Sequence, residues 1–291
     1  MLPSMRQRLF IVAAGLIGGL VLMYTTGAIT PYDASSGPSL FDAQSGAVYA
    51  ILLLVLTAGP VLVLSMIVSA AGNPLAGVFS LSFALMLMVA QCGPIDGFLW
   101  RSKLPGDYLW LIIEVMIWIL LIVLFLMMIQ RFRPAIRKRL PAVLISDHLG
   151  DKLVFKVPGK QAMLAGLISA GIGGLLSNLM IQSTDVGQVN GSLILAFAIA
   201  AMISQMIISQ PNPTVVLLSP LIAGLFAYAS IWLISGYSNT ETVLAAWYRN
   251  QLPGLALALP VHYISAGLMG TSIGMGLAQS YERAKTHVVH A

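Results

Sequence analysis

Residues 108–130 read YLWLIIEVMIWILLIVLFLMMIQ, a run of 23 residues in which Glu114 is the single charged side chain. An α-helix needs about 20 mostly apolar residues to cross a hydrocarbon layer about 30 Å thick. The run is followed at once by RFRPAIRKR, residues 131–139, which carries five of the 15 Lys and Arg residues of the chain. A long apolar segment that ends in a basic cluster predicts a transmembrane helix with that end in the cytoplasm.

The rest of the chain has the same apolar character. Over 291 residues, 58% are hydrophobic, 9% are charged, and the mean hydropathy is +0.90. Soluble domains carry about 25% charged residues, so this composition excludes a large soluble domain. The net charge of +5 comes from basic residues that adjoin apolar segments, which indicates topology signals and no nucleic-acid partner. The lone Cys92 excludes an internal disulfide and a cysteine metal cluster.

Eight segments are apolar enough to be membrane spans. They cover residues 9–27, 47–69, 75–92, 108–130, 161–182, 192–209, 214–236 and 252–277. The sequence therefore predicts an all-α integral membrane protein with eight transmembrane helices.

The distribution of basic residues predicts the orientation of these helices. With the N-terminus inside, the cytoplasmic segments hold 12 of the 15 Lys and Arg residues, and the outer loops hold three, namely Arg101, Lys103 and Arg249. The positive-inside rule therefore predicts a protein of the cytoplasmic (cell) membrane with both termini in the cytoplasm. Four tryptophans fall near the predicted outer interface, as an aromatic belt requires: Trp100, Trp110, Trp232 and Trp247.

Short motifs recur in the same order in the two halves of the chain. LWRSKLPG at 99–106 matches WYRNQLPG at 247–254 with a shift of 148 residues. Asn-Pro pairs at 73–74 and 212–213 precede the third and seventh spans, where each proline can occupy the first helical turn. AGLI opens at residue 14 in the first span and at residue 165 in the fifth.

These matches predict an internal duplication, with chance similarity in a low-diversity composition as the alternative. The predicted domains are a four-helix membrane repeat over 1–130, a basic cytoplasmic connection over 131–160, and a second repeat with a short tail over 161–291. An even number of spans gives both repeats the same orientation. Repeats of this kind often enclose a site at their interface.

The connection begins with a juxtamembrane basic cluster. Its members are candidate ligands for anionic lipid headgroups or simple topology anchors: Arg131, Arg133, Arg137, Lys138 and Arg139. Further on, the turn-like DHLGD at 147–151 between β-prone runs predicts a small hairpin.

Two ionisable residues lie inside predicted spans, and they are the candidate ligand- or proton-binding residues. Glu114 is six residues into the fourth span and His262 is eight residues past Gly254, so the shift of 148 that aligns the loops also aligns this pair. Intramembrane ionisable residues usually face the interior of the bundle and find partners. The functional interpretation is a shared polar cavity; the structural one is that each residue hydrogen-bonds a neighbouring helix.

No motif specifies a reaction. The chain lacks a P-loop, an HExxH motif and a paired metal-ligand motif, so no cofactor is predicted and an enzyme is not favoured. The sequence GTSIG at 270–274 lies in an apolar helix, where Ala266, Gly270 and Gly274 predict a close helix–helix contact. The leading functional prediction is a small transporter or channel-like protein. The alternative is a non-catalytic subunit or assembly factor, whose partners beyond the lipid bilayer would be other membrane proteins.

Overall fold

The computed structural model describes residues 5–29, 39, 46–101, 105–141, 155, 157–209, 212–235 and 243–289, and every regular element within them is helical. The helices are α1 (Met5–Met23), α2 (Thr26–Ile29), α3 (Ala47–Ala71), α4 (Pro74–Val89), α5 (Asp96–Arg101), α6 (Tyr108–Arg137), α7 (Lys160–Met180), α8 (Val186–Ile207), α9 (Thr214–Ser235), α10 (Val243–Tyr248), α11 (Pro260–His262) and α12 (Leu268–Val289). Short 3-10 turns cover Pro105–Asp107 and Gly254–Leu257, and a π-helical turn, Tyr263–Gly267, joins α11 to α12.

Six helices in the described part of the chain are long and apolar enough to cross a membrane, as expected of an all-α membrane protein. They are α1, α3, α6, α7, α8 and α9. Two predicted spans fall short of these criteria. Helix α4 has 16 residues and rises about 24 Å at 1.5 Å per residue. The predicted span 252–277 is interrupted near its start.

That interruption corrects the predicted start of the eighth span, which was residue 252. The 3-10 turn Gly254–Leu257 is followed by two residues with extended backbone, and the helix begins at Pro260. Proline lacks an amide hydrogen and therefore fits the first turn of a helix, where that hydrogen has no helical partner. Pro260 thus starts this helix, whereas Pro60 and Pro220 lie inside α3 and α9.

Glycines create close helix contacts, and two of them lie at the predicted positions Gly270 and Gly274. A Cβ atom on Gly270 would lie 2.4 Å from the carbonyl oxygen of Ile194, and one on Gly274 would lie 2.1 Å from that of Ala198. Helix α12 therefore packs backbone to backbone against α8. In the first half, Gly15 of α1 packs directly against Phe83 of α4. The contacts of Gly270 and Gly274 confirm the prediction of a close helix–helix contact at these residues.

The helices pair in a regular pattern within and between the halves. In the first half α1 contacts α3 and α4, α3 contacts α4, and α3 contacts α6. In the second half α7 contacts α8 and α9, α8 contacts α9, and α8 contacts α12. Between the halves, α6 packs on α9, α4 packs on α12, and the short helices α5 and α10 touch. This arrangement brings the start of α6 close to α11.

Candidate functional site

Glu114 lies on the buried face of α6, with 1% of its surface exposed. The Ser39 hydroxyl donates a 2.9 Å hydrogen bond to Oε2, and the indole Nε1–H of Trp118 lies 3.4 Å from Oε1. Trp118 is four residues along the same helix, a spacing that brings two side chains to the same helix face. Ser39 follows α2 in the sequence, and its amide donates a hydrogen bond to the carbonyl oxygen of Ile29.

A small cavity adjoins the Glu114 carboxyl group. It is lined by Ile29, Ser39, Leu54, Met88, Glu114, Trp118 and Val261. The cavity volume available to water is about 10 Å³, which is enough for one water molecule. The wall contributed by Val261 comes from α11, and the other walls come from the first half of the chain. The cavity therefore lies where the two halves meet.

His262 is also buried, with 1% of its surface exposed. Its Nδ1 accepts a 2.9 Å hydrogen bond from the amide of Leu259, the residue that precedes the helix. A nitrogen that accepts a hydrogen bond carries the lone pair, so the proton of the neutral imidazole is on Nε2. Among the described residues Nε2 has no hydrogen-bond partner. His262 thus uses one ring nitrogen to cap its own helix and leaves the other available.

The structure brings the two candidate residues into adjoining helices without joining them. Helix α11 contacts α6, and Val261, the neighbour of His262, lines the Glu114 cavity. No hydrogen bond links the two side chains, because Nδ1 of His262 accepts from Leu259 and Nε2 has no partner among the described residues. The arrangement therefore supplies one carboxyl group in a cavity and one buried imidazole on an adjoining helix.

Three buried tyrosines, which the sequence did not single out, surround the interrupted segment before α11. The hydroxyls of Tyr108, Tyr228 and Tyr263 donate to the carbonyl oxygens of Ala256, Ala258 and Leu255, respectively. The ring of Tyr228 lies between the others, with centroid distances of 5.8 Å to Tyr108 and 6.1 Å to Tyr263.

These tyrosine hydrogen bonds explain how non-helical backbone is accommodated deep in the bundle. Carbonyl groups without helical partners are costly in an apolar environment unless protein groups satisfy them. The interruption could have been predicted from the LPGLALALP stretch at 252–260, because its terminal proline marks a helix start.

The predicted basic cluster divides into two parts. The guanidinium of Arg133 donates to the carbonyl oxygens of Ser69 and Gly72, at 3.1 and 3.3 Å, and so caps the C-terminal end of α3. Arg131, Lys138 and Arg139 are exposed and Arg137 is half-buried. Because α6 runs to Arg137, most of the cluster extends the transmembrane helix and is not part of a loop. The hairpin predicted around 147–151 lies outside the described residues.

Within the described part of the chain, no group of three or more His, Cys, Asp or Glu side chains could hold a metal ion. Cys92 is buried and not disulfide-bonded. No family model, no curated protein and no solved structure matches this chain.

Proposed function

We propose that this protein is a small transporter or channel-like protein of the cell membrane, with its binding site in the Glu114 cavity between two repeated halves. The observation that carries the proposal is the buried carboxyl group of Glu114 beside a cavity to which α11 of the second half contributes. A charge in hydrocarbon costs at least about 2.5 kcal/mol, so a carboxyl group that is buried among apolar helices marks a candidate ion or substrate site.

The pairing of the helices supports the two-repeat architecture. Under the proposed duplication α1, α3, α4 and α6 correspond to α7, α8, α9 and α11–α12. Each contact in the first half then has a counterpart in the second, and the contact of α6 with α9 corresponds to that of α12 with α4. Such reciprocity is expected of two similar units related by a two-fold axis. It favours eight spans, with short α4 enclosed by protein and residues 260–289 forming the last.

Contacts between residues 148 apart support the same axis. Tyr108 hydrogen-bonds Ala256, and the ring of Trp100 lies 5.9 Å from that of Tyr248. A position and its own equivalent can touch only near the axis that relates them. Because both repeats would share one orientation, this axis would run along the membrane normal.

The proposed orientation has both termini in the cytoplasm. It rests on the excess of Lys and Arg in alternate connections. It is also supported by the exposure of three of the four tryptophans assigned to the outer interface, Trp100, Trp110 and Trp232.

Transport can be tested with the purified protein in liposomes. A potassium diffusion potential would be imposed in separate series with inward gradients of protons or sodium ions, and a trapped dye that responds to the ion under test would report its entry into the lumen. The wild type should carry a flux that Glu114→Gln abolishes, because the amide keeps size but cannot bind a proton or a cation. Met116→Leu, at a 52% exposed position on the same helix, is the matched control and should retain the flux. A flux that persists in Glu114→Gln would refute the role of this carboxyl group.

The alternative function is a non-catalytic subunit or assembly factor of a membrane complex. The observation that favours it is the size of the cavity, which has room for only one water molecule. A subunit would copurify from native membranes with other membrane proteins in fixed proportion, and it would carry no flux by itself in liposomes. A transporter would show the opposite pair of results.

A further inference from the structure

The chemistry around the Glu114 carboxyl group identifies the class of ligand. We propose that the species bound in this cavity is a proton, held on Oε2 of Glu114 and exchanged with a single water molecule. The inference rests on the proposed function and narrows it to one ligand.

The two carboxyl oxygens have different partners. The indole of Trp118 can only donate, so Oε1 remains an acceptor whether or not the carboxyl group is protonated. The added proton is therefore directed to Oε2. This division of roles holds the carboxyl plane in one orientation through a cycle of binding and release.

The partner of Oε2 can serve both protonation states. A serine hydroxyl donates one hydrogen bond and accepts others. Ser39 donates to the carboxylate at 2.9 Å, and by rotation of its O–H bond it can accept from a protonated Oε2. On binding, an O–H bond forms at Oε2 with a proton from a hydronium ion in the cavity, which leaves water; release reverses this transfer. The hydrogen bond between Ser39 and Glu114 survives in both states.

Among the described residues, the oxygen ligands that a metal cation requires are already hydrogen-bonded or do not line the cavity. Hard cations take several oxygen ligands, and broken helices commonly supply them as unwound carbonyls. Here the unwound carbonyl groups of Leu255, Ala256 and Ala258 accept tyrosine hydroxyls. The other walls of the cavity are apolar side chains, contributed by Ile29, Leu54, Met88 and Val261.

Within the described part of the chain, the titratable groups near the site lie on α6 and on elements packed around it. Tyr228 lies on α9 and His262 lies on α11, while α4 contains no titratable side chain. On α6 itself are Tyr108 and, far along the helix, the basic cluster; Asp107 precedes the helix and exposed Tyr49 lies on α3. Among the described residues, Glu114 is the only titratable one that lines the cavity.

The test is infrared spectroscopy of the full-length protein in lipid, titrated with acid and base. A protonated carboxyl group has a C=O stretching band that shifts in D2O. The wild type should show one such band that Glu114→Gln lacks and that Glu114→Asp displaces. The pH of half-protonation would then be measured at rising Na⁺, K⁺ or Ca²⁺, with choline chloride added to hold the ionic strength constant.

For a proton site, the midpoint should stay unchanged across this cation series. If a metal cation competes, the midpoint falls by roughly one pH unit for each tenfold rise in cation above its dissociation constant, and the proton assignment is overturned while the proposed function survives. If the band fails to titrate wherever the protein stays folded, Glu114 is a permanently neutral structural acid, and both proposals fall.

Discussion

The hydroxyl of Tyr108 donates a 3.4 Å hydrogen bond to the carbonyl oxygen of Ala256, 148 residues further along the chain. The same shift aligns the two Leu-Pro-Gly loops and pairs Glu114 with His262. This contact links the start of α6 to the interrupted segment before α11. It therefore holds the two elements that carry the candidate residues in a defined relation.

The tyrosine hydrogen bonds to the interrupted segment should contribute measurably to stability. Tyr228→Phe keeps the ring but leaves the carbonyl group of Ala258 without its buried donor. We expect the free energy of unfolding to fall by about 1 kcal/mol, the usual scale for such bonds in membrane proteins. Thermal unfolding in detergent would measure this. Tyr248→Phe, at a 66% exposed position, is the control, and equal losses in the two variants would contradict the role assigned to Tyr228.

Two substitutions of His262 distinguish its structural role as a helix cap from a role in transport. His262→Leu removes the acceptor for the Leu259 amide, and we expect a loss of roughly 1–3 kcal/mol for an unsatisfied buried donor. His262→Gln offers a carbonyl oxygen in its place and should retain most of the stability. If His262→Gln unfolds as easily as His262→Leu, the hydrogen bond to Leu259 is not what the imidazole contributes. If it is stable but lacks flux, the Nε2 atom of His262 is functional.

The contact between α8 and α12 predicts that two nearby glycines differ in how well they tolerate substitution by alanine. A Cβ on Gly274 would overlap the Ala198 carbonyl group, whereas one on Gly276 meets nothing within 4 Å. Gly274→Ala should therefore lower stability by roughly 1–3 kcal/mol, because the helices must separate. Gly276→Ala should cost nothing, since alanine is the better helix former. Thermal unfolding of both variants would decide, and a tolerated Gly274→Ala would contradict the close contact.

Two arginines of the basic cluster should differ in their contribution to stability, although each carries one charge. Arg133→Gln removes the cap on the carbonyl groups of Ser69 and Gly72, and we expect lower thermal stability. Arg131→Gln removes an exposed charge and should leave stability unchanged. Its expected effect is weaker binding to phosphatidylserine headgroups, measured by native mass spectrometry. The reverse assignment of the two effects would show that Arg131 is the structural residue.

The orientation can be tested with single cysteines in a Cys92→Ala background. Val157, which is 92% exposed, should face the cytoplasm, and exposed Ser183 should face outward, because positive charge is retained inside. An impermeant thiol reagent should label Ser183→Cys in intact cells and Val157→Cys only after permeabilisation. Labelling of Val157→Cys alone in intact cells would invert the topology.

Much of the helical framework could be predicted from local signals. The apolar run at 108–130 appears as the core of α6, and Asn73 caps α4, where its side chain accepts from the amide of Ala76 at 2.7 Å. The start of α8 was missed by six residues, because the polar VGQVNG stretch at 186–191 reads as a loop. It is helical since Asp185 caps it, and Asn190 is buried against protein.

The sequence by itself determined that this chain is helical, apolar and suited to a membrane. Each segment shows this separately, through the length of its apolar run and the charges beside it. It also singled out Glu114 and His262 as intramembrane ionisable residues. Only the tertiary structure decided that Ser39 hydrogen-bonds Glu114, that His262 caps its own helix, and that tyrosines satisfy the interrupted segment. Partners such as Ser39 and Glu114 are 75 residues apart, so their meeting depends on the packing of whole helices, which no local pattern of residues encodes.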